Sequence, residues 1–287
     1  MGLLLGVSQG STEEAKLIVV KYHGNPGRSI GADAPPIALI GKGLTFDAGG
    51  YSLKPSSKLH QMKYDMLGAG AILAAMKAIA RLALPINVVA VIPSSENLIN
   101  GEATKPGDVH TGMNGTRVEI LNTDAEGRLI LADALTYAQK YFNPSVIIDV
   151  ATLTGAAIYA LGDYYTAALG NNKKLMKKVI KAGKESGDLA YQLPIHPDVH
   201  KEIESGCKHG STGRLTKYAD LKNIAEKPGP GTTTAAVFLQ QFIEDETPWV
   251  HLDIAATASS GDEVTGRPVG LLIQFLANES KDVLLPM

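Results

Sequence analysis

The stretch TRVEILNTDAEGRLILADALTYAQKYFNPSVIIDV, residues 116–150, decides the fold. Thr116–Leu121 reads as a strand, and a polar run from Asn122 to Arg128 follows it. A helix over Gly127–Phe142 then repeats apolar residues at Leu129, Ala132, Leu135 and Ala138, a three-residue spacing that marks a buried face. Val146–Val150 closes the stretch as a continuously apolar strand. Such strands are covered on both faces, as in a largely parallel sheet.

The same alternation extends outward in both directions. Leu3–Val7, Leu17–Tyr22, Ile37–Ile40, Ile86–Ile92, Val118–Leu121, Thr166–Leu169 and Trp249–Ile254 are short, β-branched strand candidates. Met62–Leu84, Leu175–Glu185, Thr233–Glu244 and Val269–Ala277 read as helices. The most apolar region, Met66–Ile92, is broken by Lys77 and Arg81 and reads as a buried helix followed by a strand. The expectation is an α/β, three-layer sandwich with a central, mostly parallel mixed sheet and helices on both faces. Pro194–Gly231 is the least regular segment and reads as a long surface excursion, of a size that is often functional. No linker, charge block or repeat divides residues 1–287, so one domain is expected.

Composition narrows the function. The 287 residues carry 27 Lys+Arg against 29 Asp+Glu, a formal net charge of −2, and 45% are hydrophobic. The hydrophobic share excludes a disordered chain. The charge balance excludes a protein that works mainly by holding nucleic acid. No apolar run reaches the roughly 18 residues of a membrane span. The single cysteine, Cys207, excludes an internal disulfide, and the N-terminal MGLLLGVSQGS lacks the basic start of a signal peptide, so a cytoplasmic protein is expected.

Two clusters could carry chemistry. IGKGLTFDAGGYSLKPSSKLHQMKYDM, residues 40–66, places Lys42, Asp47, Lys54 and Asp65 in a Gly-rich loop after a strand, where α/β proteins bind ligands. It is not a phosphate-binding loop, because Pro36 takes the first Gly position of that motif and Gly43 its Ser/Thr. The plain alternative is solvated loop charges. In the second cluster Asp124, Glu126 and Arg128 are spaced by two, so in an extended segment they leave one face. Side-by-side carboxylates repel unless a cation or proton lies between them. The alternative there is a turn with Asp124 capping the helix and Arg128 solvated. Together the clusters supply four carboxylates, a set that suits Mg²⁺, Mn²⁺ or Zn²⁺ and can bridge two ions.

These residues resemble the leucine aminopeptidase (cytosol aminopeptidase) family of binuclear metallopeptidases. NTDAEGRL at Asn122–Leu129 matches the family signature. GKGLTFDAGGYSLKP, MKYDM, PGDV at Pro106–Val109, DVATLTGA at Asp149–Ala156 and PWVHLDIA at Pro248–Ala255 support it. The resemblance implies that Lys42, Asp47, Asp65 and Glu126 hold one divalent ion, and Asp47, Asp124 and Glu126 a second. The ions would be Mn²⁺ or Zn²⁺, with Mg²⁺ an option at one site. It implies that Lys54 stabilises a tetrahedral intermediate and that Arg128, with the backbone near Leu153, holds a bicarbonate general base. Met62, Thr152, Gly155, Ala255 and Ala258 would line the substrate pocket. Peptides with a free N-terminus would be the substrates and a homohexamer the assembly. A lysine ligand must be neutral, which from a pKa near 10.4 costs about 4.6 kcal/mol at pH 7.

The sequence departs from the family pattern in three places. The family's usual N-terminal domain is absent from it, an Arg is replaced within Gly229–Thr234, and Ala256 stands for a Gly. His196 and His200, with Cys207 and His209 nearby, form a weaker candidate zinc set that lacks the Glu of H-E-x-x-H. No G-x-S-x-G elbow occurs. A two-carboxylate glycosidase leaves Lys42 and Arg128 without roles. The non-enzymatic alternative, a catalytically silent assembly or binding module of the same fold, must explain why all seven metal and catalytic positions are filled.

Overall fold

Alternate residues of the central strands are buried on opposite faces of one sheet, as apolar runs covered on both sides require. The computed structural model describes residues 1–24, 34–205, 207–209, 214–216, 218–244 and 246–282. In chain order the first half holds α1 (Gly2–Ser8), β1 (Lys16–His23), β2 (Ile37–Gly41), β3 (Gly43–Asp47), a 3₁₀ helix (Leu59–Tyr64), α2 (Leu67–Arg81), β4 (Asn87–Asn97), β5 (Val109–Thr111), β6 (Arg117–Glu119) and α3 (Gly127–Phe142). Next come β7 (Val146–Ala151), α4 (Gly155–Leu161), β8 (Thr166–Gly170), α5 (Lys173–Ser186), β9 (Ala190–Gln192), α6 (Val199–Glu202), β10 (Cys207–His209) and β11 (Arg214–Thr216). The chain ends with β12 (Leu221–Lys222), α7 (Gly231–Gln240), β13 (Trp249–Asp253), β14 (Ser259–Ser260), β15 (Glu263–Val264) and α8 (Val269–Asp282).

Among the described residues the main sheet has eight strands in the order β1-β4-β2-β7-β13-β8-β9, with β3 continuing beside β4. Its centre, β4-β2-β7-β13, is parallel, while β1 and β8 run antiparallel to their inner neighbours. Ala38, Ile40, Val89, Val91, Ile147 and Trp249 pack on one face against Leu131, Leu135, Val237 and Phe238 of α3 and α7. Ile37, Leu39, Val88, Ala90, Ile148 and Leu252 pack on the other against α2, α5 and α8 through Ile72, Ile79, Val179 and Phe275. The architecture is therefore the expected α/β sandwich with a mixed, largely parallel sheet between helical layers.

Three expectations need correction. Leu3–Val7 is not a strand but most of α1, because Leu3, Leu4 and Val7 are buried at helical spacing while Leu5 is exposed. Both leading amides, Leu3 and Leu4, donate to Asp133 Oδ2 at 3.0 Å and so are satisfied as a helix start must be. The expected helix from Met62 begins only at Leu67, since the chain breaks after the 3₁₀ helix to turn Asp65 inward. Pro194–Gly231 is not wholly superficial, because β12 pairs in parallel with β6, placing Lys222 opposite Glu119 and burying Asn223.

Candidate metal centre

Lys42, Asn97, Thr152 and Asp253 stand at or just beyond the carboxyl ends of the adjacent parallel strands β2, β4, β7 and β13. The Lys42 backbone is pinned from two sides: its N–H donates to Val150 O (3.0 Å) and its carbonyl accepts from Ala69 N (2.9 Å). Its side chain is therefore aimed into a buried cluster, where Nζ lies 2.9 Å from Asp65 Oδ2, 2.9 Å from Glu126 Oε1 and 3.0 Å from Thr152 O. A Cβ at Gly127 would come within 2.6 Å of Lys42 Nζ, so this approach requires glycine.

Asp47 ends β3 and accepts from Gly49 N (2.9 Å) and Asn97 Nδ2 (2.8 Å) through Oδ1. Its Oδ2 lies 2.8 Å from Lys54 Nζ, which also contacts Asp124. Gly49 turns the chain here with φ +93°, a conformation that suits glycine. Thr123 locks the two sequence clusters together: its Oγ1 donates to Gly49 O (2.6 Å) and accepts from Ser52 N (2.8 Å). Thr152 Oγ1 donates to Asp65 Oδ1 at 2.7 Å.

Asp47, Asp65 and Glu126 each present an oxygen within 4.8 Å of the others, and all three are buried. Asp124 joins them through Lys54 and is partly exposed. Glu126 Oε2 is buried without a hydrogen-bond partner. An orphaned carboxylate oxygen costs free energy unless a cation or proton meets it. Asp65 Oδ2 likewise has no hydrogen-bond partner beyond its ion pair with Lys42, and hard oxygen donors left in this state fit a divalent metal ion.

Electrostatics bear the strain of this crowding. Burial pushes the Glu126 carboxyl up to about 8, with Asp47 adding to the shift and Lys42 opposing it. Burial likewise raises Asp65 to about 6 against the pull of Lys42, and it raises Asp124 against Lys54. Burial alone would lower Lys42, but Asp65, Glu126 and Asp47 more than reverse this and hold its ammonium above the usual lysine range. Lys54 is raised for the same reason, burial being outweighed chiefly by Asp47.

Arg128 is buried, not solvated, and burial lowers its guanidinium to about 10 against the opposing Glu126. One guanidinium nitrogen donates to Asn223 O at 2.8 Å. Glu126, not Asp124, is the N-cap position of α3. The segment turns at Asn122–Ala125 instead of staying extended, so Asp124 meets Lys54 while Glu126 meets Lys42. Asp124, Arg128, Leu153 and Gly155 line one open cleft of about 320 Å³. Met62 and Ala255 are half-buried, Thr152 is committed to Asp65 and Lys42, and Ala258 lies within the core. His196 and His200 have separate partners, Asp198 N and Gln241, and the side chains of Cys207 and His209 lie outside the described residues.

Three polar residues beyond the expected set hold the centre. Asn97 ties Asp47 to Thr123 O. Asn223 binds the turn before α3. Asp253 accepts from the amides of Leu153, Thr154 and Ala255 and from the Thr154 hydroxyl. A polar residue at the carboxyl end of a central strand was the available signal for Asn97, which ends the run Ser94–Asn97, and for Asp253, which ends WVHLD.

Fold and centre together give an α/β protein with a buried carboxylate–lysine cluster that could hold a metal ion, beyond the carboxyl ends of its parallel strands. The profile of the cytosol aminopeptidase family, catalytic domain, matches residues 1–273, and the chain belongs to that family. It is 49% identical over 286 residues to a probable cytosol aminopeptidase of Acidithiobacillus ferrooxidans, covering 99% of this chain and 53% of that protein. A probable cytosol aminopeptidase of Nitrosococcus oceani is 50% identical over 285 residues, 98% of this chain and 53% of its own length. One from Photobacterium profundum is 49% identical over 279 residues, 96% of this chain and 52% of its own. The chain thus spans about half the length of the curated relatives it matches.

Proposed function

We propose that this chain is a catalytic domain that removes the N-terminal residue, with leucine-type preference, from peptides whose N-terminus is free. The convergence of three buried carboxylates beside Lys42, with an orphaned Glu126 oxygen, carries this reading. Lys42, Asp47, Asp65 and Glu126 would hold one divalent ion and Asp47, Asp124 and Glu126 another, Mn²⁺ or Zn²⁺, with Mg²⁺ an option at one site. When bound, the ions would orient the free amine, polarise the scissile carbonyl and supply an activated water. Lys42 must lose its proton to become a ligand, and Asp65 and Glu126 must lose theirs.

Lys54 keeps its proton under the field of Asp47 and donates to the oxyanion that develops on the substrate carbonyl. Arg128 would hold a bicarbonate ion, which would supply the general base, in the cleft it lines with Leu153, whose own N–H is directed to Asp253. Met62, Thr152, Gly155, Ala255 and Ala258 shape the pocket for the N-terminal side chain. We carry over the cytoplasm and a homohexamer from the family. No helix among the described residues is long and apolar enough to cross a membrane.

The test is hydrolysis of a leucine chromogenic amide before and after chelation. Activity is expected to vanish with chelator, return with Mn²⁺ or Zn²⁺, and be absent on the N-acetylated substrate. Hydrolysis indifferent to chelator contradicts the reading. Tight metal binding with no hydrolysis indicates a silent module of the same fold.

A further inference from the structure

Asn223 is fully buried at the end of β12, and the parallel pairing of Lys222 with Glu119 sets it beside the turn that follows β6. Its Oδ1 accepts from Leu121 N (2.8 Å) and Asn122 N (3.3 Å). Its Nδ2 donates to Asn122 O (2.6 Å) and Ala125 O (3.4 Å). Its own carbonyl accepts from Arg128 at 2.8 Å. A primary amide has two donor hydrogens and a carbonyl oxygen with two lone pairs. Here that whole capacity goes to one short segment, the turn carrying Asp124 and leading to Glu126, while the adjacent carbonyl holds the guanidinium two residues further on.

We propose that Asn223 is a positioning residue for the reaction, fixing Asp124, Glu126 and Arg128 in one arrangement through the turn and the guanidinium it binds. At Thr123 the turn is also held by Gly49, Ser52 and Asn97, and within itself by Ala125 N to Asn122 O (3.2 Å) and Asp124 N to Asn122 Oδ1 (2.8 Å); Asn223 adds the side-chain contacts to the residues on either side, Asn122 and Ala125. Asn223 reaches the site from a segment about a hundred residues away, so the irregular excursion before α7 is coupled to the metal-binding turn. This inference rests on the peptidase reading above.

The experiment compares wild type, Asn223→Ala, Arg128→Ala and the double variant as full chains, measuring kcat and KM on the leucine amide and Mn²⁺ affinity by calorimetry. Outer residues that orient ligands typically change activity or metal affinity by about 10- to 100-fold. Asn223→Ala is expected to lose kcat and loosen Mn²⁺ by amounts in that range, with KM changed less than kcat. In the Arg128→Ala background the loosening of Mn²⁺ is expected to persist while the further loss of kcat is smaller than in wild type, because the part exerted through the guanidinium is already gone. Full multiplication of the two losses, or wild-type kcat and Mn²⁺ affinity in Asn223→Ala, overturns the assignment. Asn223→Asp, which keeps both acceptor contacts and loses both donors, replaces it under the same criteria if circular dichroism shows Asn223→Ala unfolded. A wild type that binds Mn²⁺ but cleaves no leucine amide ends the peptidase reading, and Mn²⁺ affinity alone then decides the role of Asn223.

Discussion

Lys42 and Lys54 carry the same functional group into the same cluster, yet their surroundings separate them. Lys42 is buried between Asp65 and Glu126, whereas Lys54 is partly exposed between Asp47 and Asp124. A side chain enclosed by two candidate ligands can itself become a ligand, and one that is partly exposed can reach substrate. Lys54→Ala should therefore lower kcat by about 10²–10³ while metal stoichiometry stays at the wild-type value. Glu126→Ala should lose both metal and activity. Metal loss in Lys54→Ala, measured by inductively coupled plasma mass spectrometry, would show that the two roles are exchanged. The sequence showed both lysines in a Gly-rich loop after a strand, where solvated loop charges were an equally open reading, and their separate roles came only from the resemblance to the family. Their partners were less legible: the extended geometry expected for Asp124–Arg128 gave way to a turn fixed by Asn223, about a hundred residues distant.

Among the elements, the loop between β7 and α4 is where sheet and site meet. Thr152 contacts both Asp65 and Lys42, and the next residues hang on the fully buried Asp253 at the end of β13. Thr154 also caps α4 by accepting from Ala157 N. Asp253→Ala would leave three amides and a hydroxyl without their acceptor, and a stability loss of about 3 kcal/mol or more is expected in urea unfolding. A loss below about 1 kcal/mol would mean the loop is held by other contacts. Apolar strands such as Ile37–Ile40, Val146–Val150 and Trp249–Ile254 could be read directly, because continuous β-branched character suits a sheet covered on both faces. Leu3–Val7 could not, since five apolar residues fit a strand or a helix equally, and the deciding acceptor, Asp133, lies about 130 residues away.

For the molecule as a whole, the buried charges set a pH dependence. Asp65 and Glu126 have folded values of about 6 and about 8, above the roughly 4 of an unfolded carboxylate. Between these values the folded state holds more protons than the unfolded state, so metal-free stability falls as pH rises from about 4 to about 8. His251, fully buried against Asp149 at 2.6 Å, acts in the same direction. Burial would lower it, but Asp149 raises it, so its contribution is complete below about 6.5 and is lost as pH rises through the folded value. The metal-free protein should therefore melt at higher temperature at pH 5.5 than at pH 8, as read by calorimetry. Metal affinity should run the opposite way and strengthen with pH, because binding displaces the protons on Glu126, Asp65 and Lys42. In the proposed metal centre Asp47 and Glu126 would be shared between two divalent ions. This arrangement is tested most directly by anomalous diffraction from crystals grown with Mn²⁺ or Zn²⁺. Two peaks flanking the Asp47 and Glu126 carboxylates are expected; no peak there, or ions bound only elsewhere, would contradict the proposed centre.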